Sequence, residues 1–278
     1  MAEVRIAATA HSPGMTGFPE RAEPAAAERA LAAIAELRRR IEQRPPDVVV
    51  GVSNDHFTTT SMASLAPFSI ATAHRFANPA TPKLAEFLGL RAQTTPANPE
   101  LAHVLLRALL DADVDVAQLG GPFGFDENFA VPLHLLGLTH TPLVPFVVNA
   151  VQAPMPSLGR CRAVGERLGA ILRSQAVAGS VLVLATGGLS HSVGTASAGR
   201  IDERFDRWFL ENLSAGRLDS LTGLDEVQVS AAGNGTEEIR QWIVAASAVS
   251  PEPVEVIDYV PVHGWLTGIA VAGSPTAP

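Results

Sequence analysis

Three of the eight histidines occupy the same kind of position, close behind a short apolar run. Each follows a short apolar run of the kind that forms a buried strand, and they are His11, His56 and His191. Open α/β sheets bind their ligands just beyond the carboxyl ends of their strands. One histidine at a strand end is more often structural than functional, but three exceed what chance scatter gives. We therefore predict that these histidines meet at one edge of a sheet.

Such a cluster of histidines indicates a metal-binding site. Two neutral imidazoles and one carboxylate, with open positions on one face of the ion, are diagnostic of non-haem iron(II) oxygenases. His11 and His56 are the natural imidazole ligands. The single cysteine, Cys161, excludes a cysteine-based metal cage. Zinc accepts the same ligands, so a zinc-dependent hydrolase is an alternative.

The carboxylate ligand has two candidate positions. Asp55 directly precedes His56, and continued strand geometry would turn its side chain away, so we expect it to orient an imidazole through the ring N–H. Further along, Asn234 suits a helix N-cap with Glu237 as its capping-box partner. Glu238 is then left as a candidate ligand, although both glutamates also suit the positive end of a helix dipole. Spacing alone leaves this choice open.

Apolar strand-like runs alternate with helical stretches along the chain. We predict strands at 4–10, 47–53, 114–119, 143–148, 180–185, 254–260 and 265–271, and helices at 25–43, 99–112, 159–175, 201–212 and 237–248. The segments 74–98 and 120–130 are predicted to be loops. This alternation predicts an α/β fold as a single domain over residues 1–278. A central, mostly parallel or mixed sheet is covered by helices on both faces, with the active site at the carboxyl ends of the strands.

Composition narrows the class of protein. The 278 residues carry a formal net charge of −8, and the only basic run is Arg38-Arg39-Arg40, so no nucleic-acid partner is expected. The apolar runs are far shorter than the ~20 residues needed to cross a bilayer, so no membrane association is expected. The start of the chain lacks the apolar region of a signal peptide, which predicts a cytoplasmic protein.

The order and spacing of several short motifs resemble a known superfamily, the class III extradiol ring-cleavage dioxygenases typified by the catalytic beta subunit of protocatechuate 4,5-dioxygenase. The resemblance covers most of the chain. The motifs are His11-Ser-Pro-Gly, Asn54-Asp55-His56, Val131-Pro-Leu, Pro145-Phe-Val-Val-Asn149, Gly159-Arg-Cys161, Thr186-Gly-Gly-Leu-Ser-His191, Ala198-Gly199 with Phe205-Asp206, and Glu238 with Trp242.

This resemblance implies the chemistry of the site. It implies an Fe(II) cofactor held by His11, His56 and Glu238, with His191 as the acid/base residue beside a bound aromatic diol. The implied reaction inserts dioxygen into a catechol-type ring and opens it beside the diol (meta cleavage). The superfamily also implies a homo-oligomer, or a form with a small companion subunit. A metal-free partner subunit on the same fold is the remaining alternative, and its signature would be lost ligands.

One position departs from the superfamily pattern. Active members commonly carry a second acid/base histidine after an aspartate, a few residues before the Val-Pro-Leu motif, and Glu127 stands there in this chain. We hypothesise that Glu127 is catalytic and signals an atypical ring, such as an aminophenol or a hydroxypyridone; the alternative is a surface loop residue with no role. Residues expected around the pocket, in addition to Asp55, are Ser190, Phe57, Phe123, Phe125 and Trp265.

Overall fold

The computed structural model describes residues 2–174 and 179–276, which form two sheets and several helices. The strands are β1 (Glu3–Thr9), β2 (Val48–Ser53), β3 (Phe68–Ala71), β4 (Arg75–Asn78), β5 (Gln93–Pro96), β6 (Ala117–Leu119), β7 (Leu143–Val148), β8 (Ser180–Thr186), β9 (Glu255–Val262) and β10 (Thr267–Gly273). Eight of them make one sheet in the order β6-β3-β7-β2-β8-β1-β10-β9, and β4 pairs with β5 in a small second sheet.

The α-helices are α1 (Gly14–Gly17), α2 (Pro24–Gln43), α3 (Pro82–Phe87), α4 (Pro99–Asp111), α5 (Glu127–Leu135), α6 (Leu158–Ser174), α7 (Glu203–Ser214), α8 (Leu218–Thr222), α9 (Glu226–Ala231) and α10 (Ile239–Val249). Short 3-10 helices cover Pro19–Arg21, Asn234–Glu238 and His263–Trp265. Proline occupies the first helical position of α2, α3 and α4, where its missing N–H costs no hydrogen bond.

The centre of the large sheet is parallel. β7, β2, β8 and β1 run in one direction, and Thr9 at the end of β1 is level with Thr186 at the end of β8. The antiparallel strands β10 and β9 extend the sheet beyond β1, while β3 pairs antiparallel with β7 at the other side. The four parallel strands therefore end at one edge, and the loops that follow them meet there.

Each face of the sheet is covered by helices. Alternate residues of β2 point to opposite sides, with Val48, Val50 and Val52 packed in the core beneath α4, α6 and α10. Val49 belongs to the opposite core, which α2 and α5 cover. Strands buried on both faces need continuous apolar sequence, which explains the run of valines in this strand.

The predicted fold class, an α/β sheet with helices on both faces, is confirmed. The predicted strand at 114–119 is shorter, since pairing begins only at Ala117. The segment 74–98 is not a loop as predicted, because it contains β4, α3 and β5. The predicted helix at 159–175 ends at Gln175, which lies outside the described residues. Across the described residues, we find no helix with the length and apolar character that a membrane span requires.

Candidate active site

His11 follows β1, two residues beyond its last paired residue. Its Nδ1 lies 3.3 Å from the Thr186 hydroxyl at the end of β8, and that hydroxyl lies 2.7 Å from the Asn128 carbonyl oxygen. The opposite ring nitrogen, Nε2, lies 3.3 Å from Oε1 of Glu238. The neighbouring strand end thus fixes the orientation of the ring and leaves Nε2 facing the carboxylate.

His56 follows β2 and is oriented by a different residue from the one predicted. Its Nδ1 lies 3.2 Å from Oδ1 of Asp126, and its backbone N–H donates to Oδ2 of the same carboxylate at 2.8 Å. Nε2 of His56 lies 3.4 Å from Oε1 of Glu238. Burial lowers the pKa of His56, but the hydrogen bonds with Asp126 and Glu238 outweigh it and hold that pKa well above the usual value.

Asp55 does not orient an imidazole, contrary to the prediction. Its carboxylate accepts from the backbone N–H of Thr59 and from both the N–H and the hydroxyl of Thr60, the last at 2.6 Å. The chain leaves the strand after Ser53, so Asp55 closes the following turn. Asp126, which also caps α5 by accepting from Asn128 N–H at 2.8 Å, contacts His56 in its place.

Glu238 is the last residue of the 3-10 helix before α10, and its side chain is almost fully buried. Oε2 accepts from the Gly188 N–H at 2.8 Å, and Oε1 faces Nε2 of His11 and His56. Burial raises the pKa of Glu238, but its interactions with His11 and His56 hold the pKa well below the usual value.

The predicted capping box at this helix is wrong. Asn234 is paired with the backbone of Val193, donating to its carbonyl and accepting from its N–H. Glu237 accepts from the Ser230 hydroxyl and forms a buried ion pair with Arg240. The 3-10 turn sends Glu237 and Glu238 to opposite sides, so only Glu238 faces the histidines.

Three groups of this edge converge, and we call them the His–His–Glu cluster: His11, His56 and Glu238. One ligand atom from each lies within 4.8 Å of the other two, and the two rings meet edge to face with centroids 5.2 Å apart. Each imidazole uses Nδ1 for a hydrogen bond and turns Nε2 toward Glu238, and Nε2 of His56 also lies 2.9 Å from Nδ2 of Asn54. Two imidazoles and one carboxylate fit a divalent transition metal with open coordination positions.

His191 lies beside this cluster in the loop after β8. Its Nδ1 lies 3.0 Å from the Leu189 carbonyl oxygen, and its Nε2 lies 3.9 Å from Oε2 of Glu238. A carbonyl oxygen only accepts, so Nδ1 carries the proton and neutral His191 presents an unprotonated Nε2. Gly235 packs directly against the ring, and a Cβ at this position would overlap it. His191 is therefore held in an orientation suited to accepting a proton.

Glu127 is the first residue of α5 and also reaches the site. Its Oε1 lies 3.5 Å from Nδ1 of His56. Burial raises the pKa of Glu127, with Asp126 adding to the rise and His56 opposing it. The position that departs from the superfamily pattern thus places a carboxylate, rather than an imidazole, beside the cluster.

These groups line a cavity of about 410 Å³. Trp265 lines it as predicted, together with Phe18, Arg21 and Phe87, which were not predicted. Other lining residues come from the ends of the parallel strands and from the β9–β10 connection: Ser12, Ala150, Gly188, Gly264, Leu266 and Thr267.

The expected placement of four other pocket residues is wrong. Phe123 and Phe125 lie in the core, in contact with the ring of Phe76, because the chain before α5 pairs with β4 through the backbone of Ala77. Phe57 is 41% exposed and lies outside the cavity lining. Ser190 is fully buried, and its hydroxyl donates to Asp206 at 2.8 Å instead of facing the cavity.

Comparison with known proteins assigns this chain to a family. The family model described as the catalytic LigB subunit of aromatic ring-opening dioxygenase matches residues 5–271. The chain belongs to this family. The predicted resemblance is confirmed, and the chain is a ring-cleaving dioxygenase of the LigB family.

Relatives of this LigB-family chain match it along most of their length. The chain is 28% identical to a 2,3-dihydroxyphenylpropionate/2,3-dihydroxicinnamic acid 1,2-dioxygenase of Klebsiella pneumoniae, covering 96% of each chain. It is 27% identical to such an enzyme of Pseudomonas putida, covering 84% of this chain and 87% of the relative. An uncharacterized Escherichia coli protein, JW3007, shares the fold with a TM-score of 0.58 at 15% identity, covering 87% of this chain and 92% of that one.

Proposed function

We propose that this LigB-family enzyme is an iron(II)-dependent extradiol dioxygenase whose metal is bound by His11, His56 and Glu238. The observation that supports this most is the convergence of two imidazole Nε2 atoms and one carboxylate oxygen within 4.8 Å on the wall of the cavity. Iron(II) held by these three residues would supply redox chemistry with dioxygen, and a set of only three protein ligands would leave room for a diol. The protein supplies the ligands, their orientation and proton transfer.

The reaction needs no external reductant. The carbon–carbon bond beside the diol breaks, one oxygen atom of dioxygen enters each new carbonyl group, and the four electrons come from the substrate. The product is a ring-opened acid with an aldehyde or ketone at its other end. The protein shields His11 and Glu238 from bulk water, since both residues are at most 5% exposed.

His191 is the proposed acid/base residue. A diol bound at the His–His–Glu cluster would have to lose protons, and an imidazole beside the cluster suits that transfer. Because the Leu189 carbonyl occupies Nδ1, Nε2 of His191 is the atom that takes the proton. The distance of 3.9 Å from Nε2 of His191 to Oε2 of Glu238 supports this role, because a substrate bound at the cluster would lie within reach of that atom.

Glu127 is the proposed second proton-transfer group, and it favours a ring other than a simple catechol. Glu127 lines the cavity 3.5 Å from His56, and its carboxylate can accept a hydrogen bond from an N–H on the substrate ring. An imidazole nitrogen that carries a proton could not accept that hydrogen bond. An aminophenol or a hydroxypyridone offers such a group. A 2,3-dihydroxyphenyl ring, as in the names of the relatives, is the comparison substrate.

The test is anaerobic loading with iron(II), followed by a diol and air. The proposal predicts a yellow ring-opened product with iron and none without it. A zinc-dependent hydrolase would stay inactive with iron and hydrolyse esters or amides with zinc. A non-catalytic partner subunit would bind no iron at all. Glu238→Gln separates these cases further, because it should lose iron binding while the neighbouring Glu237→Gln should retain it.

A further inference from the structure

Arg21 brings a positive charge to a cavity whose other charged groups are acidic or imidazole. Among the described residues that line the cavity it is the only arginine or lysine, and Glu127 and Glu238 are the only carboxylates. Both carboxylates lie at the His–His–Glu cluster. Arg21 belongs to the 3-10 helix Pro19–Arg21, which follows α1.

The guanidinium of Arg21 is stacked on an aromatic ring rather than paired with a carboxylate. Its central carbon lies 4.3 Å from the centroid of the Phe18 ring, and Phe18 in turn packs edge to face on Phe87 at 5.2 Å. Within the part of the chain that the structure describes, no carboxylate lies within salt-bridge distance of Arg21. The planar N–H fork is thus oriented by the ring while its donors remain free for a ligand.

The backbone of Arg21 is fixed although its side chain is exposed. Gly264, in the turn that carries Trp265, packs against the Arg21 carbonyl oxygen so closely that a Cβ at this position would overlap it. Trp265 is 2% exposed and anchors that turn in the core. The side chain of Arg21 therefore starts from a defined point on the cavity wall.

We infer that Arg21, stacked on Phe18, is the residue of this cavity that binds the carboxylate of a side chain on the aromatic substrate. The position of the aromatic ring in this inference rests on the proposed function, because the diol is assigned to the His–His–Glu cluster. A planar guanidinium binds a carboxylate through two parallel hydrogen bonds. Phe18 and Phe87 provide an apolar surface for the linker between ring and carboxylate. The relatives named for 2,3-dihydroxyphenylpropionate act on such a molecule.

The test compares an acid with its neutral isostere. Calorimetric titration of the metal-free protein with 3-phenylpropionate and with 3-phenylpropanamide measures the affinity for each without any turnover. In Arg21→Met, which keeps the apolar stem on Phe18, the ratio of acid to amide affinity should fall about tenfold, since a hydrogen bond to a charged group contributes ~1.5 kcal/mol. Arg21→Lys should lose part of this preference, because an ammonium cannot form the fork.

Arg107→Met is the matched control. Arg107 is exposed on α4, which packs on the sheet through Leu105 and Leu109, and its substitution removes the same charge from the protein. This variant should bind both ligands as the unmodified protein does. Thermal unfolding of each variant checks that the fold is retained.

The outcomes separate this inference from the proposed function. Equal affinity of the unmodified protein for acid and amide, no binding of the acid, or an unchanged ratio in Arg21→Met would each overturn the role of Arg21. An Arg21-dependent preference for the acid without turnover of any diol by the iron-loaded protein would support Arg21 and refute the dioxygenase proposal. Turnover of 2,3-dihydroxyphenylpropionate by the iron-loaded protein, with a KM that Arg21→Met leaves unchanged, would support the dioxygenase proposal and refute the role of Arg21.

Discussion

Replacing Asp126 by alanine tests how the protein holds its metal ligands. The Asp126 carboxylate contacts Nδ1 of His56 at 3.2 Å, accepts from the His56 backbone N–H at 2.8 Å and caps α5 through Asn128 N–H at 2.8 Å. Loss of a hydrogen-bond partner behind a metal-bound histidine typically costs 10–100-fold in metal affinity. We therefore expect iron(II) to bind Asp126→Ala about 10–100-fold more weakly.

Stability should fall as well, for separate reasons. Loss of an N-cap costs about 1 kcal/mol, and leaving the buried N–H of His56 without an acceptor costs a further ~1–3 kcal/mol. The total expected loss in the free energy of unfolding is thus about 2–4 kcal/mol, read from urea unfolding.

Asp225→Ala is the matched control for this prediction. Asp225 caps α9, accepting from Gln228 N–H at 2.8 Å, and makes no contact with the His–His–Glu cluster. It should lose about 1 kcal/mol of stability and keep its iron affinity. Iron(II) affinity is measured anaerobically by competition with a chelator. Unchanged affinity in Asp126→Ala, or an equal loss in both variants, would refute the argument that Asp126 orients His56 for the metal.

Three further predictions concern the remaining polar groups. His191→Ala should retain iron in metal analysis but lose turnover by about 10²–10⁴-fold, as expected for loss of an acid/base group, and loss of iron would contradict that role. Glu127→His should shift kcat/KM from aminophenols toward catechols, and an unchanged preference across the panel would exclude a role for Glu127 in ring choice. Burial raises the pKa of Asp206 to about 6, despite hydrogen bonds from Tyr259 and Ser190, so the folded state binds this proton more tightly than the unfolded state. The free energy of unfolding should therefore fall by about 3 kcal/mol as the pH rises from 4 through 6. In urea unfolding, Asp206→Asn should lack that decrease. The same pH profile in Asp206→Asn and in the unmodified protein would contradict the raised pKa of Asp206.

The strand-end positions of the site could be predicted from sequence. His11, His56 and His191 follow apolar runs, and parallel strands that end at one edge bring such residues together. The runs of valine and leucine that mark β2 and β8 are long enough to locate their ends within one or two residues. The α/β class followed from the same alternation.

Residues that depend on turn geometry were harder to predict. Asp55 and Asp126 both lie near His56 in space or in sequence, and only the direction of the chain after Ser53 decides which one contacts its ring. Glu237 and Glu238 are adjacent, and the 3-10 turn alone separates a buried ion pair from a site carboxylate. No periodic pattern encodes either outcome.

Apart from Trp265, the aromatic wall of the cavity was predicted at the wrong place for a related reason. Phe123 and Phe125 are near Glu127 in sequence, but they pack with other phenylalanines in the core. Phe18 and Phe87 come from distant segments that meet only in the folded chain. The one available sequence signal was the proximity of Phe18 and Arg21 to His11, a few residues along the same connection.

The central claim is that the His–His–Glu cluster supports ring opening by dioxygen. The most direct measurement is the mass of the product formed when the anaerobic, iron-loaded protein receives 2,3-dihydroxyphenylpropionate and then oxygen, with Glu238→Gln and Glu237→Gln treated in parallel. The account predicts a product heavier than the substrate by one whole dioxygen molecule, formed by the unmodified protein and by Glu237→Gln but not by Glu238→Gln. A product heavier by one water molecule, or full activity in Glu238→Gln, would contradict it.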